Sequence, residues 1–144
     1  MKKKFNIIEQ NKNQGGEMKT IIQTDKAPKA VGPYSQAVKV NNTVFTSGQL
    51  PIDPETGKIV EGSVEEQTRQ MMENLKNVLE AAEASLDLVV KTTLFITDIK
   101  DFQKINSIYG EYFPKNPPAR ATVEVSALAL GAQVEVDAIA VLSY

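Results

Sequence analysis

Neither cysteine nor histidine occurs in this 144-residue chain, and each absence removes chemistry. Without cysteine there is no disulfide, no thiolate nucleophile and no zinc–thiolate site. Without histidine there is no imidazole base and no Ser-His-Asp arrangement, so a metal site is not expected either. Any catalysis must rest on carboxylates, Arg, Lys, Tyr, Ser, Thr, backbone groups or water. Also lacking is a concentration of Lys and Arg with interleaved aromatics. The formal charge is -2, the wrong balance for a binder of nucleic-acid backbones. No apolar run reaches membrane-span length. The basic start Lys2-Lys3-Lys4 gives way to Asn6, Glu9, Gln10 and Asn11 before a signal-peptide core develops. The cytoplasm is the expected compartment, with no membrane partner.

What is present suits one domain: 144 residues at 42% hydrophobic can build a single core but not two independent ones. Residues 1–17 stand apart, being polar, aperiodic and poor in apolar surface to offset their ordering entropy. They are expected to be a disordered or non-native extension, with the domain spanning 18–144. Gln14-Gly15-Gly16-Glu17 can be encoded by a purine-rich ribosome-binding sequence just ahead of Met18, which would make these residues translated leader.

Within the domain, Lys19 to Thr24 is β-rich, and Pro28, Gly32 and Pro33 break the segment that follows. Ser35–Val40 and Thr43–Ser47 flank Asn41-Asn42, a two-residue hairpin signal. Ser63 and Glu66 fit a capping box. Behind them Val64, Thr68, Met71, Met72, Leu75, Val78, Leu79 and Ala82 form an amphipathic helical stripe. Val89–Thr97 reads as a strand and Asp101–Phe113 as a second helix, closed by Pro114, Pro117 and Pro118. Strands over Ala119–Ser126 and Val134–Ser143 complete the order. No internal repeat is evident.

Strand parity sorts the side chains into faces. Val90, Thr92, Leu94 and Ile96 are expected on one face of their strand, with Val89, Lys91, Thr93, Phe95 and Thr97 on the other. The apolar sets Ala119, Ala121, Val123, Val125 and Val134, Val136, Ala138, Ala140, Leu142 are expected to join the first, beneath both helices. The opposite face then mixes Phe45, Phe95, Ile139 and Val141 with Arg120, Glu124, Glu135 and Asp137. Such a face calls for cover by further copies of the chain, leaving its charges in a cleft.

Arg120, at the start of a strand after Pro117-Pro118-Ala119, could grip a carboxylate through two parallel hydrogen bonds. A structural ion pair with Glu124 or Glu135 is the commoner use of such an arginine. Glu135, between Val134 and Val136, could exchange protons near neutrality if partly desolvated, or simply pair with Lys91. Tyr34 sits in a loop where its hydroxyl could reach a ligand or its ring close the core. Gly48, in Thr46-Ser47-Gly48-Gln49, would let a ligand approach the backbone.

Together Gly32-Pro33-Tyr34, Thr46-Ser47-Gly48-Gln49, Asn106, Pro118-Ala119-Arg120, Val123-Glu124-Val125 and Val134-Glu135-Val136 resemble the reactive intermediate deaminase (RidA-type) family of the YjgF/UK114 superfamily. The likeness runs from Met18 to Tyr144 and is most specific from Pro118 to Val136. It implies an α+β, chorismate-mutase-like (YjgF-type) fold, a mixed sheet with two helices on one face, assembling as a homotrimer with clefts between subunits. It also implies hydrolysis of 2-iminopropanoate and 2-iminobutanoate to 2-oxo acids and ammonia. By position, Arg120 would hold the substrate carboxylate and Glu135 would position or activate water, while Tyr34, Ser47, Gly48, Asn106 and Thr122 line the pocket. Thr122 stands where family members often have cysteine. The chemistry asks for no cofactor: an enamine acid is protonated at carbon and the resulting imine is attacked by water. Two rivals stand beside this reading: a non-catalytic module that uses the same Arg120 pocket to sense 2-oxo acids or related carboxylates and, also implied by the superfamily, an RNA-cleaving translation inhibitor. The acidic, histidine-free composition argues against the second.

Overall fold

A computed structural model describes residues 10–12 and 18–142. Its strands are β1 (Gln10–Lys12), β2 (Met18–Ile22), β3 (Ala37–Val40), β4 (Thr43–Thr46), β5 (Val89–Ile96), β6 (Ala119–Glu124) and β7 (Val134–Val141). Helices α1 (Val64–Ala81) and α2 (Phe102–Tyr112) flank β5 in the chain. The strands form one seven-stranded sheet in the order β1-β2-β3-β4-β7-β5-β6. Only β5 and β6 pair in parallel, with α2 as their crossover. This is the mixed α+β sheet expected. One strand was not anticipated: Gln10–Lys12, inside the expected extension, pairs antiparallel with β2. The rest of the extension lies outside the described residues.

Local chemistry explains the elements. Asn41 takes φ 52° and reverses the chain between β3 and β4, a conformation asparagine tolerates better than most residues. Ser63 accepts from the Glu66 amide while the Glu66 carboxylate accepts from the Ser63 amide, so two of the free donors at the start of α1 are satisfied. The helix ends where Glu83 turns left-handed at φ 63° and the Ala84 amide reaches back to the Leu79 carbonyl. Met71, Met72, Leu75, Val78 and Leu79 are fully buried against the sheet residues Val44, Leu94, Val134, Val136 and Ala140. Removing each such side chain from water contributes about 1.5–3 kcal/mol before entropy is counted. No helix of the described residues is long and apolar enough to cross a membrane.

Two parity expectations are overturned. A register irregularity between Val89 and Lys91 puts Val89 into the core at 6% exposure and turns Val90 outward at 48%, the reverse of simple alternation. More consequentially, β6 shows its polar side to the helices. Arg120 pairs with Thr92, Thr122 with Leu94 and Glu124 with Ile96, and paired residues share a face. Thr92, Leu94 and Ile96 are fully buried under the helices, so Arg120 and Thr122 lie on that side, while Val123 is 40% exposed on the other. As an edge strand, β6 gains less by burying its apolar set, and its register with β5 decides.

Candidate active site

Arg120 emerges from Asn116, which holds φ 48°, and the two prolines after it, and its side chain folds back onto α2. Its Nη1 donates to Asn106 Oδ1 at 2.8 Å. The guanidinium carbon lies 4.8 Å from the Tyr109 ring centroid and 5.5 Å from that of Phe102. Phe102, Asn106 and Tyr109 follow a helical i, i+4, i+7 spacing and so present one face to the arginine. The Tyr109 hydroxyl is hydrogen-bonded at 2.7 Å to Thr92, itself fully buried on β5. Burial pushes the Tyr109 phenol up, the Thr92 bond and the Arg120 charge opposing, so the ring stays neutral at ordinary pH.

The chain has two arginines, and they differ. Arg69 pairs with Glu111 at 2.9 Å on the surface. Arg120 has no carboxylate partner among the described residues. Neither candidate for an ion pair is used: Glu124 accepts from the Ile99 amide at 2.7 Å, and Glu135 projects from the other side of the sheet. Lys91 likewise makes no pair with Glu135 among the described residues.

A second group surrounds Glu135. Its carboxyl lies so close over Gly48 that a Cβ there would stand 2.8 Å from Cδ and from Oε1, so any side chain at this position would push the Glu135 carboxyl from its place. Backbone bonds between Gln49 and Val136, at 2.7 and 3.1 Å, hold the two segments together. The Ser47 hydroxyl donates to the Ser35 carbonyl, which ties the Tyr34 loop beside Gly48. Tyr34 itself is 52% exposed and lines a cavity of about 270 Å³ with Asp25, Lys29 and Gln36. The Glu135 carboxyl is raised above the usual range, first by burial and then by the charge of Asp137 on the same face.

The expected site residues therefore form two groups rather than one. Asn106, Arg120 and Thr122 lie on the helix side; Ser47, Gly48 and Glu135, with the Tyr34 loop, lie on the open side. Phe95 pairs with Glu135 and Thr92 with Arg120, so these two candidate residues sit two strands apart and three residues out of step. That separates their backbones by about 10 Å in each direction, with side chains on opposite faces. The single mixed face expected from parity is thus corrected.

Four supporting residues are not among those expected at the site. Phe102 and Tyr109 share a helical spacing with Asn106 that is readable in the sequence. Gln36 holds the start of the Tyr34 loop, accepting from the Thr24 amide at 2.7 Å and donating to the Thr24 and Pro28 carbonyls at 3.0 and 2.7 Å. Asn74, fully buried in α1, donates to the Leu50 and Ile52 carbonyls at 2.9 and 2.8 Å and anchors the segment after Gln49. No local pattern marks either contact.

Fold and side chains define an α+β domain that carries, on one side of its sheet, an arginine with no carboxylate partner among the described residues and, on the other, a partly desolvated carboxyl. Residues 24–142 match the family described as Endoribonuclease L-PSP, and the chain belongs to that family. It is similar to a RutC family protein of Pyrococcus abyssi, 54% identical over 122 residues, 85% of this chain and 96% of that protein. It is also similar to the 2-iminobutanoate/2-iminopropanoate deaminase of Homo sapiens, 45% identical over 124 residues, 86% of this chain and 90% of that one. The solved structure of the YjgF gene product from E. coli matches with a TM-score of 0.82 at 41% identity, covering 85% of this chain and 98% of that one. The expected YjgF-type fold is met.

Proposed function

We propose that this protein hydrolyses the reactive enamines and imines of 2-oxo acids, 2-aminoacrylate with its tautomer 2-iminopropanoate and 2-iminobutanoate, to the 2-oxo acid and ammonia. One observation carries the reading. Arg120 is oriented by a neutral acceptor and two rings and has no carboxylate partner among the described residues, so its charge and remaining N–H groups are available to a substrate carboxylate. The deaminase named among its relatives supports the same chemistry.

Arg120 and Glu135 of one copy cannot meet on one small molecule. The site is therefore proposed to form between subunits of a homotrimer, with Arg120, Asn106 and Thr122 from one copy facing Glu135, Gly48, Ser47 and Tyr34 of a neighbour. The half-exposed Phe45 and Val141, at 46% and 36%, support cover of the open face by that neighbour. Once the enamine carbon has taken a proton from solvent to give the iminium, water adds to the C=N carbon, the C=N π pair moves to nitrogen, and Glu135 accepts the proton that water releases. Glu135 then returns that proton to the amino nitrogen, the C–N bond breaks as the hydroxyl loses its proton to solvent, and ammonia leaves with the carbonyl remaining. Acid–base help of this kind is worth about 10²- to 10⁴-fold. The proposed domain is 18–144, the family match spanning most of it, and its proposed compartment is the cytoplasm.

The test generates 2-aminoacrylate in situ with a dehydratase and follows ammonia and 2-oxo acid release with and without the protein. Acceleration that is lost in Arg120→Ala and nearly lost in Arg120→Lys is the expected outcome. Thr122→Cys should stay within a few-fold of the parent, about 1 kcal/mol of barrier. No acceleration, with pyruvate binding intact, would identify a sensing module instead. Cleavage of RNA without deamination would restore the ribonuclease reading.

A further inference from the structure

The guanidinium of Arg120 rests on a shelf whose own position is fixed from behind. Tyr109, 5% exposed, is held at its hydroxyl by the 2.7 Å bond to Thr92 and braced at its ring by Phe113, with centroids 4.9 Å apart. Thr92 is the residue paired with Arg120 across the β5–β6 ladder. A closed circuit results: Arg120 backbone to Thr92 backbone through the sheet, Thr92 hydroxyl to Tyr109 hydroxyl, and Tyr109 ring back to the Arg120 guanidinium. Every member other than the arginine is uncharged. The circuit therefore orients the guanidinium without neutralising it, as a carboxylate partner would.

We propose that Tyr109 and Thr92 are positioning residues for carboxylate recognition, setting the affinity of the site through the orientation of Arg120 while touching no substrate themselves. The proposal rests on the reading of Arg120 given above. Because the circuit acts on the carboxylate grip, present in ground state and transition state alike, its loss should raise KM with little change in kcat.

Pyruvate serves as the binding probe, titrated calorimetrically into the full chain, alongside thermal unfolding and deaminase kinetics. Tyr109→Phe and Thr92→Val each break the same bond, so each should weaken pyruvate binding several-fold, to about tenfold, and the double variant should be no weaker than either. Stability should behave differently. Each single variant strands one buried hydroxyl and lowers Tm, whereas the double variant removes both and recovers most of the loss. Recovered Tm with unrecovered Kd is the signature of positioning; recovery of both together would reduce the pair to a structural contact and overturn the proposal. Wild-type Kd in folded Tyr109→Phe would do the same. If Arg120→Ala leaves pyruvate binding unchanged, the failure lies with the carboxylate role of Arg120 rather than with its support.

Discussion

Glu135 is the residue whose surroundings speak most directly to its chemistry. Half-buried over Gly48 and beside Asp137, its carboxyl is raised by burial first and by the neighbouring charge second. A carboxylate with a raised folded-state pKa contributes stability that is fully present below its unfolded value, and loses it as pH rises through the folded value. Glu135→Gln, which mimics the protonated acid, should therefore match the parent in Tm near pH 4 and exceed it increasingly toward about pH 7. Thermal unfolding across that range checks it, and a difference independent of pH would show that ionisation of Glu135 carries no folding cost. The same variant should bind pyruvate but turn over slowly. Individual residues were legible where their chemistry was unusual: an arginine after two prolines, a glutamate between two valines. Gln36 and Asn74 were not, because a buried amide that satisfies distant carbonyls leaves no periodic trace.

Among the elements, α1 was fully legible, since a capping box followed by a three-and-four repeat admits one packing. Its central stripe carries much of the core, and Leu75, with no exposed surface, sits in its middle. Leu75→Ala should cost about 2–5 kcal/mol, read as a shift in the chemical-denaturation midpoint at unchanged slope. A loss well below 1 kcal/mol would mean that the core collapses around the gap. Apart from β1, which fell within the expected extension, the strands were legible in existence and approximate extent but not always in facing. Alternation fails at Val89–Lys91 because an extra residue enters the ladder there. It misleads at β6 because pattern alone cannot say which side of an edge strand meets the helices; that depends on pairing with β5, which is not local information.

For the whole molecule, the division of the candidate site residues between two faces gives the proposed shared site a direct test. An Arg120→Ala chain, expected to be inactive, still carries Glu135, and a slow Glu135→Gln chain still carries Arg120. Unfolding and refolding the two together should regenerate native sites wherever the right neighbours meet, about a quarter of interfaces in an equal random mixture of a cyclic oligomer. Deaminase assays on the mixture measure this, and a mixture no more active than its parents would place both groups in one chain's site. Light scattering of the parent should report an oligomer at micromolar concentration.

The parallel pairing of β5 with β6 also separates the two groups along the chain. Thr92, Asn106, Tyr109 and Arg120 all belong to one strand–helix–strand unit, so their half of the site closes through short loops. The other half joins the Tyr34 loop and Gly48 to Glu135, which spans most of the chain and waits on β7, the last strand. The residues of the proposed carboxylate grip are thus all present once β6 has been made, whereas Glu135, proposed to complete a neighbour's site, follows later in β7.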